Sequence, residues 1–391
     1  MKTWCKKIDP TDAKFIEPFV ITCVIDKLER RDYSKFVAGY SELSPKQIRK
    51  LAKDKANATI VLECELTCIA EDVADRIRNR SLDLQKPRIT RRRDGMNGKM
   101  RDICIESIMH QVIEHVVVRC MDELWSKKLT YHQYASLKKK GQLAGAKTLQ
   151  KWTKHHEAKY YAKGDVTHCF GSFRHDIIMK FLRRDIGKNK TLLWCVEELL
   201  KLHSDNGVGL LIGSLLSQFL SNYMLSYAYR YAESLCKYRR NNRIRLAPHV
   251  LFFMDDYIIC GNNRRNLQMA MKKIERYMIN TLGIRAKIWN VENHDSRPID
   301  MMGYVIRSNG KMKVRHRIYR RARRCAIRLW QNMKSLKLSR RFSAYFGYLK
   351  YARVRKIKKT KSDLTLRVRS TINLAAYNVR TYDRRILECC A

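Results

Sequence analysis

Two adjacent acids, Asp255 and Asp256, stand between two apolar runs. The runs, residues 249–253 and 257–260, are rich in aromatic and β-branched residues, so we expect two strands with the acids at the turn. Adjacent carboxylates repel each other and stay ionised near neutral pH most easily when divalent cations lie between them. Mg²⁺ suits such a site, because it takes a few hard oxygen ligands and keeps positions for phosphates. The alternative is ordinary turn chemistry, since Asp is common in turns.

A third acid, Asp165, ends another predicted strand in the run 159–170. The aromatic Phe170 follows it, and a helix is predicted over residues 175–184. The alternative is that Asp165 merely caps that helix. If Asp165 and the Asp255–Asp256 pair converge, the carboxylates together form one metal site.

A predicted hairpin over residues 88–105 carries clustered positive charge. Gly95 and Gly98 flank its turn, so Arg91–Arg93 lie on one arm and Lys99 and Arg101 on the other. Arginine matches phosphate oxygens in a two-pronged geometry, which suits a triphosphate. A general surface that faces nucleic acid is the competing interpretation of Arg91–Arg93.

A glycine-containing loop opens a long apolar helix that is predicted to end near Leu235. Its polar residues Ser217, Gln218 and Asn222 at the start of the helix suggest a surface that faces a base or a ribose. Next come the hairpin at the acids, a helix over 266–282, a segment around Lys287 and a short strand over 300–306. The order β-α-α-ββ-α-β predicts an α+β fold, a split βαβ sheet with helices behind it.

The charge of the whole chain indicates a polyanionic partner. Lys and Arg number 81 against 37 Asp and Glu, a formal net charge of +44, while 45% hydrophobic residues indicate a folded globule rather than a disordered basic tail. Residues 311–391 hold 25 Lys and Arg against 3 acids, with aromatic residues between them, which suits a nucleic-acid strand. A basic RNA-binding protein with incidental acids is the alternative to an enzyme.

The length of the apolar runs and the number of cysteines indicate where in the cell the protein works. No apolar run approaches the roughly 18 residues of a spanning helix, so we expect no membrane attachment and no signal peptide. The 13 cysteines are odd in number and include no C-x-x-C pair, which favours a reducing cytoplasm over a disulfide framework or a zinc knuckle.

From about residue 88 to 306 the chain resembles reverse transcriptases, because several of their motifs occur in the family order. Asp165 with Phe170 resembles the first palm motif, and residues 212–218 resemble the second. Phe253-Met-Asp-Asp256 resembles the Tyr-x-Asp-Asp box, with Phe253 in place of the usual Tyr. The other matches are the triphosphate-binding finger pair Lys99 and Arg101, the lysine of the next motif, Lys287, and the primer grip, Met302, Gly303 and Tyr304.

The resemblance implies an α+β right-hand polymerase with fingers, a palm built on a ferredoxin-like split βαβ sheet, and a helical thumb. We accordingly expect an N-terminal extension over 1–85, fingers over 86–158, a palm over 159–310 and a basic helical thumb over 311–391. The N-terminal part offers no chemistry, although its periodicity predicts helices over 45–51 and 68–77.

The implied activity is RNA-directed DNA polymerisation by two-metal nucleotidyl transfer. Asp165 and Asp255, with Asp256 and the Val166 carbonyl, would hold two Mg²⁺ ions, and Mn²⁺ is expected to substitute. The expected nucleotide contacts are Lys99, Arg101 and Lys287 at the phosphates, Phe170 at the sugar, and Ile212, Gly213, Ser217 and Gln218 near the nascent pair. Expected partners are an RNA template, the RNA/DNA hybrid and dNTPs, with a small accessory protein or a second polymerase subunit in addition.

Within the family, the Ile-Gly-x-x-x-Ser-Gln form of residues 212–218 looks most like the enzymes of diversity-generating retroelements, which implies low fidelity through the apolar Ile212. The alternative is a defence-associated reverse transcriptase that copies a dedicated noncoding RNA, or works without a conventional template, in antiphage immunity. An RNA-dependent RNA polymerase is a further alternative, against which Phe170 and the lack of a Gly before Asp255 both argue.

Overall fold

Helices make up the N-terminal part of the chain. The computed structural model describes residues 2–52, 54–93, 100–352, 356–358 and 365–389. The first helices are α1 (Ala13–Ile25), α2 (Tyr33–Ala38), α3 (Pro45–Leu51), α4 (Lys55–Val61) and α5 (Glu63–Arg78). Helices α3 and α5 confirm the predicted segments. Ser44 begins α3 through a reciprocal capping box with Gln47, which satisfies free backbone N–H groups of the first turn.

The basic hairpin and the helices after it come next. They comprise β1 (Arg88–Arg93), β2 (Met100–Ile105), α6 (Ile108–Cys120), α7 (Asp122–Lys128) and α8 (Gln142–Lys154). β1 and β2 pair in antiparallel fashion, as expected. Apolar residues recur at helical spacing over residues 108–124, but the helix there is divided at Met121 into α6 and α7. Asp122 and Glu123 occupy the first turn of α7, where negative charge favours a new helix start.

The following elements build the palm sheet. They are β3 (Tyr160–Val166), α9 (Cys169–Ser172), α10 (His175–Ile186), α11 (Lys190–His203), α12 (Leu215–Ser234), β4 (Cys236–Arg239), β5 (Asn242–Arg245), β6 (His249–Phe253), β7 (Asp256–Gly261), α13 (Arg264–Tyr277), β8 (Ala286–Ile288) and β9 (Glu292–Asn293). The strand order is β6-β7-β3-β8, with β9 also on β3, and all of these pairings are antiparallel. The predicted split βαβ arrangement is confirmed.

The two faces of this sheet pack into different apolar clusters. Phe252, Tyr257 and Ile259 lie in the larger cluster, together with residues of α12, α13 and the N-terminal helices. Leu251 and Ile258 point the other way, into a smaller cluster with residues of α8. Side chains alternate along a strand, so each strand supplies both clusters. The sheet is therefore held on both faces, which fixes the ends of its strands.

A separate small sheet follows, formed by β10 (Ile299–Met301), β11 (Tyr304–Ile306) and β12 (Met312–Val314) in sequence order. The prediction of one strand over 300–306 was wrong. Met302 and Gly303 have positive φ angles of 53° and 84°, so the chain reverses there and β11 pairs back on β10.

The C-terminal part consists of α14 (His316–Gln331), α15 (Leu336–Tyr351), β13 (Lys356–Lys358), β14 (Thr365–Arg367) and α16 (Val368–Cys389). Its helices share an apolar cluster of their own that includes Ile318, Leu329 and Phe342. The other face of α14 is rich in arginine, as the composition predicts. Among the described residues, none of the helices combines the length and the apolar character needed to cross a bilayer.

Candidate active site

The acids singled out from the sequence meet at one end of the palm sheet. Asp165, next to the last residue of β3, lies directly opposite Asp256, the first residue of β7. Asp255 occupies the turn between β6 and β7, where Met254 takes a φ of 55°. The backbone N–H of Val166 donates a hydrogen bond of 2.9 Å to the Asp255 carbonyl. This bond ties the hairpin turn to the end of β3 and holds the carboxylates together.

The electrostatics of the carboxylates fit a cation site. Burial raises the pKa of Asp255, and the charge of Asp165 raises it further. Burial also raises the pKa of Asp256, to about 6, with a further contribution from the charge of Asp255. Half-buried carboxylates that repel one another in this way are relieved by divalent cations with oxygen preference. Asp165, Asp255 and Asp256 are the residues that would hold them.

Positive side chains surround the acids, and two of them were not anticipated. The charges of Lys163 and Arg315 oppose the rise in the pKa of Asp256, and that of Arg101 opposes the rise for Asp255. Lys163 lies two residues before Asp165 on the same face of β3, so strand alternation could have identified it. Arg315 pairs with Asp300 at 2.6 Å and comes from the start of the C-terminal helices, which only the fold brings near.

A glycine lets the sheet pack tightly beside the acids. Gly164 faces Tyr257 across β3 and β7, on the side of the sheet opposite to Asp165. A Cβ atom at Gly164 would lie 2.1 Å from the Tyr257 ring, and that ring is fully buried and stacked on Phe252. The absence of a side chain at Gly164 therefore sets the position of its neighbour Asp165.

Lys287 lies beside the acids on the next strand. It is opposite Asp165 in the pairing of β3 with β8, is exposed, and has its ammonium nitrogen 5.6 Å from the centre of the Trp289 ring. Asp256, Asp165 and Lys287 thus form one row across three strands. Opposite residues of antiparallel strands share a face. A phosphate held beside the acids by bound cations would lie within the reach of Lys287.

The fingers hairpin brings Arg101 towards the site. Arg101 is exposed on β2, and its charge opposes the rise that burial causes in the pKa of Asp255. Arg91, on the other arm, forms an ion pair of 3.6 Å with Asp102. Gly95, Gly98 and Lys99, on which the turn and half of the triphosphate pair were predicted, lie outside the described residues.

The loop before α12 docks on the hairpin through its backbone. The Ile212 carbonyl accepts a 2.8 Å hydrogen bond from the N–H of Cys104. Gly213 has a φ of 115°, and a Cβ there would lie 3.0 Å from the Cys104 carbonyl oxygen. Ile212 is half-buried. Only glycine fits this conformation and this close approach.

Ser217 departs from its predicted role. Its side chain is fully buried, and its hydroxyl accepts a 3.1 Å hydrogen bond from the N–H of Leu211. Ser217 lies in the first turn of α12 and the preceding loop folds over it, so Ser217 shapes the loop instead of facing a nucleotide. Gln218, the next residue, is half-buried. Phe170 is half-buried too, and its carbonyl accepts a 2.6 Å hydrogen bond from the N–H of Leu210.

The predicted primer grip is a buried turn. Met302 and Tyr304 are only 6% and 2% exposed. Met302 packs on Gly145 of α8, and Gly303 lies so close to Tyr348 of α15 that a Cβ would come within 2.6 Å of the ring. The side chains of Met302 and Tyr304 therefore dock this sheet between α8 and the C-terminal helices, because the protein itself covers them.

A palm sheet with clustered acids at its strand ends, under a basic hairpin, defines a nucleotide-polymerising enzyme. The family model "Reverse transcriptase (RNA-dependent DNA polymerase)" matches residues 84–306, more than half of the 391 residues. The chain therefore belongs to the reverse transcriptase family. Enzymes of this family use divalent metal ions, generally Mg²⁺.

Similar solved structures are telomerases. Telomerase from Candida albicans with a fragment of telomeric RNA is 10% identical, with a TM-score of 0.40 over 69% of this chain and 57% of that chain. Telomerase from Candida tropicalis with a telomeric RNA fragment is 9% identical, with a TM-score of 0.42 over 93% of this chain and 68% of that one. This chain thus spans 57% of the length of the first of these structures. No curated protein matches the sequence.

Proposed function

We propose that the chain copies an RNA template into DNA by two-metal nucleotidyl transfer. The observation that carries the proposal is the placement of Asp165 opposite Asp256, with Asp255 in the adjoining turn. Asp165 and Asp255, with Asp256 and the Val166 carbonyl, would hold two Mg²⁺ ions. When bound, these would supply activation of the primer 3′-oxygen and neutralisation of the leaving pyrophosphate. A primer-extension assay with RNA template and dNTPs tests this.

Charged residues around the acids have distinct roles in the proposal. Arg101, with Lys99, binds the triphosphate of the incoming nucleotide. Lys287, in the row with Asp165 and Asp256, supplies charge or a proton to the leaving group. Phe170 occupies the space that a ribose 2′-hydroxyl would need and so selects dNTPs. Ile212, Gly213 and Gln218 lie near the nascent base pair, and Ser217 supports their loop from within.

We further propose the division into an N-terminal extension (1–85), fingers (86–158), palm (159–310) and thumb (311–391). The separate apolar cluster of the C-terminal helices supports an independent thumb. β12, at the start of the proposed thumb, pairs with β11 of the proposed palm, so the small sheet connects the two parts before α14 begins. The arginine-rich face of α14 suits the backbone of an RNA/DNA hybrid.

The biological setting that we propose is a diversity-generating retroelement in the cytoplasm. Ile212 supports it, because an apolar side chain beside the nascent pair offers no hydrogen bond for checking the base. The template would be a dedicated RNA, with a small accessory protein or a second polymerase subunit as partner.

Sequencing of the DNA that the protein makes in its native cell tests this setting. cDNA that matches a template repeat, with frequent substitutions, supports it. Homopolymers, short repeats or faithful copies of one noncoding RNA would instead indicate antiphage defence. In vitro, Ile212→Gln should reduce misincorporation while Ile212→Leu leaves it unchanged. An unchanged spectrum in Ile212→Gln would remove Ile212 from the fidelity argument.

A further inference from the structure

A second cluster of metal-binding side chains lies away from the catalytic acids, inside the protein. Glu106, His110 and Glu114 are buried, and one donor atom from each lies within 4.8 Å of the others. The Nε2 atoms of His110 and His203 are 3.8 Å and 3.6 Å from the same oxygen, Oε1 of Glu114. The side chains of His203 and Glu114 are completely inaccessible to solvent.

The histidines of this cluster are unusual because their polar atoms are unsatisfied. None of the ring nitrogens of His110 and His203 makes a hydrogen bond, although all are buried. The Gln85 backbone lies near His110, but without hydrogen-bond geometry. Buried polar atoms in native proteins nearly always have a partner, so these nitrogens point to one.

Glu114, in contrast, is held firmly by hydrogen bonds. Its Oε1 accepts a 2.6 Å hydrogen bond from the Ser214 hydroxyl. Its Oε2 accepts bonds of 2.9 Å and 3.3 Å from the backbone N–H groups of Leu215 and Leu216, at the start of α12. These donors keep the carboxylate ionised and fixed, as outer partners of metal-binding carboxylates do. Beyond the bond from Ser214, Oε1 keeps a further lone pair, and the Nε2 atoms of both imidazoles lie within 3.8 Å of it.

We propose that His110, His203, Glu114 and Glu106 form a structural zinc site. Two imidazoles and two carboxylates suit Zn²⁺, and closure on all sides matches structural rather than catalytic zinc. Zinc–ligand bonds of about 2.0–2.1 Å in tetrahedral geometry separate neighbouring donors by about 3.3 Å. The separations of 3.8 Å and 3.6 Å from Glu114 Oε1 to the two imidazoles are close to this value, and rotation of the Glu106 and His203 side chains towards the common centre would complete the site. The cation also compensates buried negative charge.

The site would join elements that position the nucleotide. Glu106 directly follows β2, the strand that carries Arg101, and His203 ends α11. Glu114 caps α12, where the loop that contains Ile212 and Gly213 ends. Zinc at this junction would therefore hold the fingers hairpin and the nucleotide loop in fixed relation.

Metal analysis of the full-length chain without an affinity tag tests the proposal. Protein supplied with zinc and then dialysed should retain about one zinc ion per chain. His110→Gln and His203→Gln should each lower retained zinc by about tenfold or more. His115→Gln, on the same helix outside the cluster, is the matched control. Asp255→Asn should also retain zinc, which separates this site from the catalytic acids.

If the histidine variants do not fold, cobalt absorption and thermal unfolding of the wild-type protein still test the proposal. After chelation, wild-type protein loaded with Co²⁺ should show the visible absorption of tetrahedral cobalt, and zinc should raise its Tm. Wild-type protein with neither response would overturn the proposal. Zinc retained by the His110→Gln, His203→Gln double variant would also overturn the proposal. The buried cluster would then be a hydrogen-bonded network whose charge is neutralised by protons. These readouts are independent of polymerase activity.

Discussion

Asp165 lies directly opposite Asp256 in the pairing of β3 with β7. The chain thereby brings together acids separated by about ninety residues of sequence, and it does so through backbone hydrogen bonds rather than flexible side chains. Register in a sheet buried on both faces is strongly specified, because a slip by one residue would exchange the two faces. The geometry of the acids is thus as stable as the core itself.

Substitution of the acids tests their role directly. Asp165→Asn and Asp255→Asn preserve shape but remove the charge that holds divalent cations. We expect primer extension with dNTPs to fall by about 10³-fold or more, since a catalytic metal contributes several kcal/mol to the transition state. Asp176→Asn, which changes an exposed acid paired with Arg174 on α10, is the control and should stay near wild type. Undiminished extension by Asp255→Asn would reject the site.

Because the pKa of Asp256 is raised to about 6, we expect rising pH to lower the stability of the metal-free protein and to increase the stabilisation by Mg²⁺. A carboxyl whose pKa is higher in the folded than in the unfolded state stabilises the fold at low pH, and this contribution is lost as pH rises through about 6. Metal-free protein should therefore lose Tm across that range, whereas Mg²⁺ should raise Tm more at pH 7.5 than at about pH 5.

Asp256→Asn isolates the contribution of Asp256 to the pH dependence of stability. This variant is needed because burial also raises the pKa of Glu106, to about 8, so Glu106 changes stability with pH in the same direction. The variant should lose the part of the pH dependence near pH 6 and be more stable than wild type without metal. Thermal melts with EDTA and with Mg²⁺ provide the measurement. Identical pH profiles for the two proteins would contradict the assignment.

Gly164→Ala should displace the acids by overpacking the opposite face of the sheet. The new Cβ would lie 2.1 Å from the Tyr257 ring, which is fully buried and stacked on Phe252. Overpacking of this kind costs about 1–3 kcal/mol, and a shift of β3 would displace Asp165. We expect both a lower free energy of unfolding and reduced primer extension. Gly347→Ala on α15, where a Cβ meets nothing within 4 Å, is the matched control. Equal stability of the two variants would refute this account of Gly164.

Much of the palm was predictable because its signals are local. Apolar runs of strand length mark β6 and β7, and Asp165 ends a similar run, so the strand ends and their acids follow from the pattern. The hairpin β4–β5 was missed, since its strands are polar and its turn uses Arg240 and Asn241 at positive φ rather than glycine. Helix α11 was also missed, although Asn189 caps it and apolar residues recur at helical spacing.

Roles that depend on long-range packing could not be predicted. The burial of Ser217 results from the loop that folds over it, and that of Tyr304 from the C-terminal helices. Glu114 and His203 are 89 positions apart in the numbering, and nothing in either local sequence indicates that they meet. The sequence therefore identified the strand ends that carry the acids but not which polar residues face inward.

Arg101 should act on the incoming nucleotide and on the acids together. Arg101→Ala should raise the KM for dNTPs by about tenfold or more, because a charge-assisted hydrogen bond to phosphate contributes about 1.5–3 kcal/mol. Loss of its charge should also raise the pKa of Asp255 and move the acid limb of the pH–rate profile upwards. Arg91→Ala is the control, since Arg91 faces Asp102. An equal change in both variants would indicate a general effect of charge.

Phe170→Ala tests the choice of sugar. Phe170 lies on α9, five residues beyond Asp165, and is half-buried. The hydrogen bond from the Leu210 N–H fixes its backbone, so a smaller side chain opens space without moving β3. Incorporation of rNTPs relative to dNTPs should rise at least about tenfold, as expected when a steric block is removed. Phe170→Tyr keeps the bulk and should keep the discrimination. Steady-state kcat/KM for each nucleotide gives the ratio, and equal ratios in wild type and Phe170→Ala would assign sugar selection to another residue.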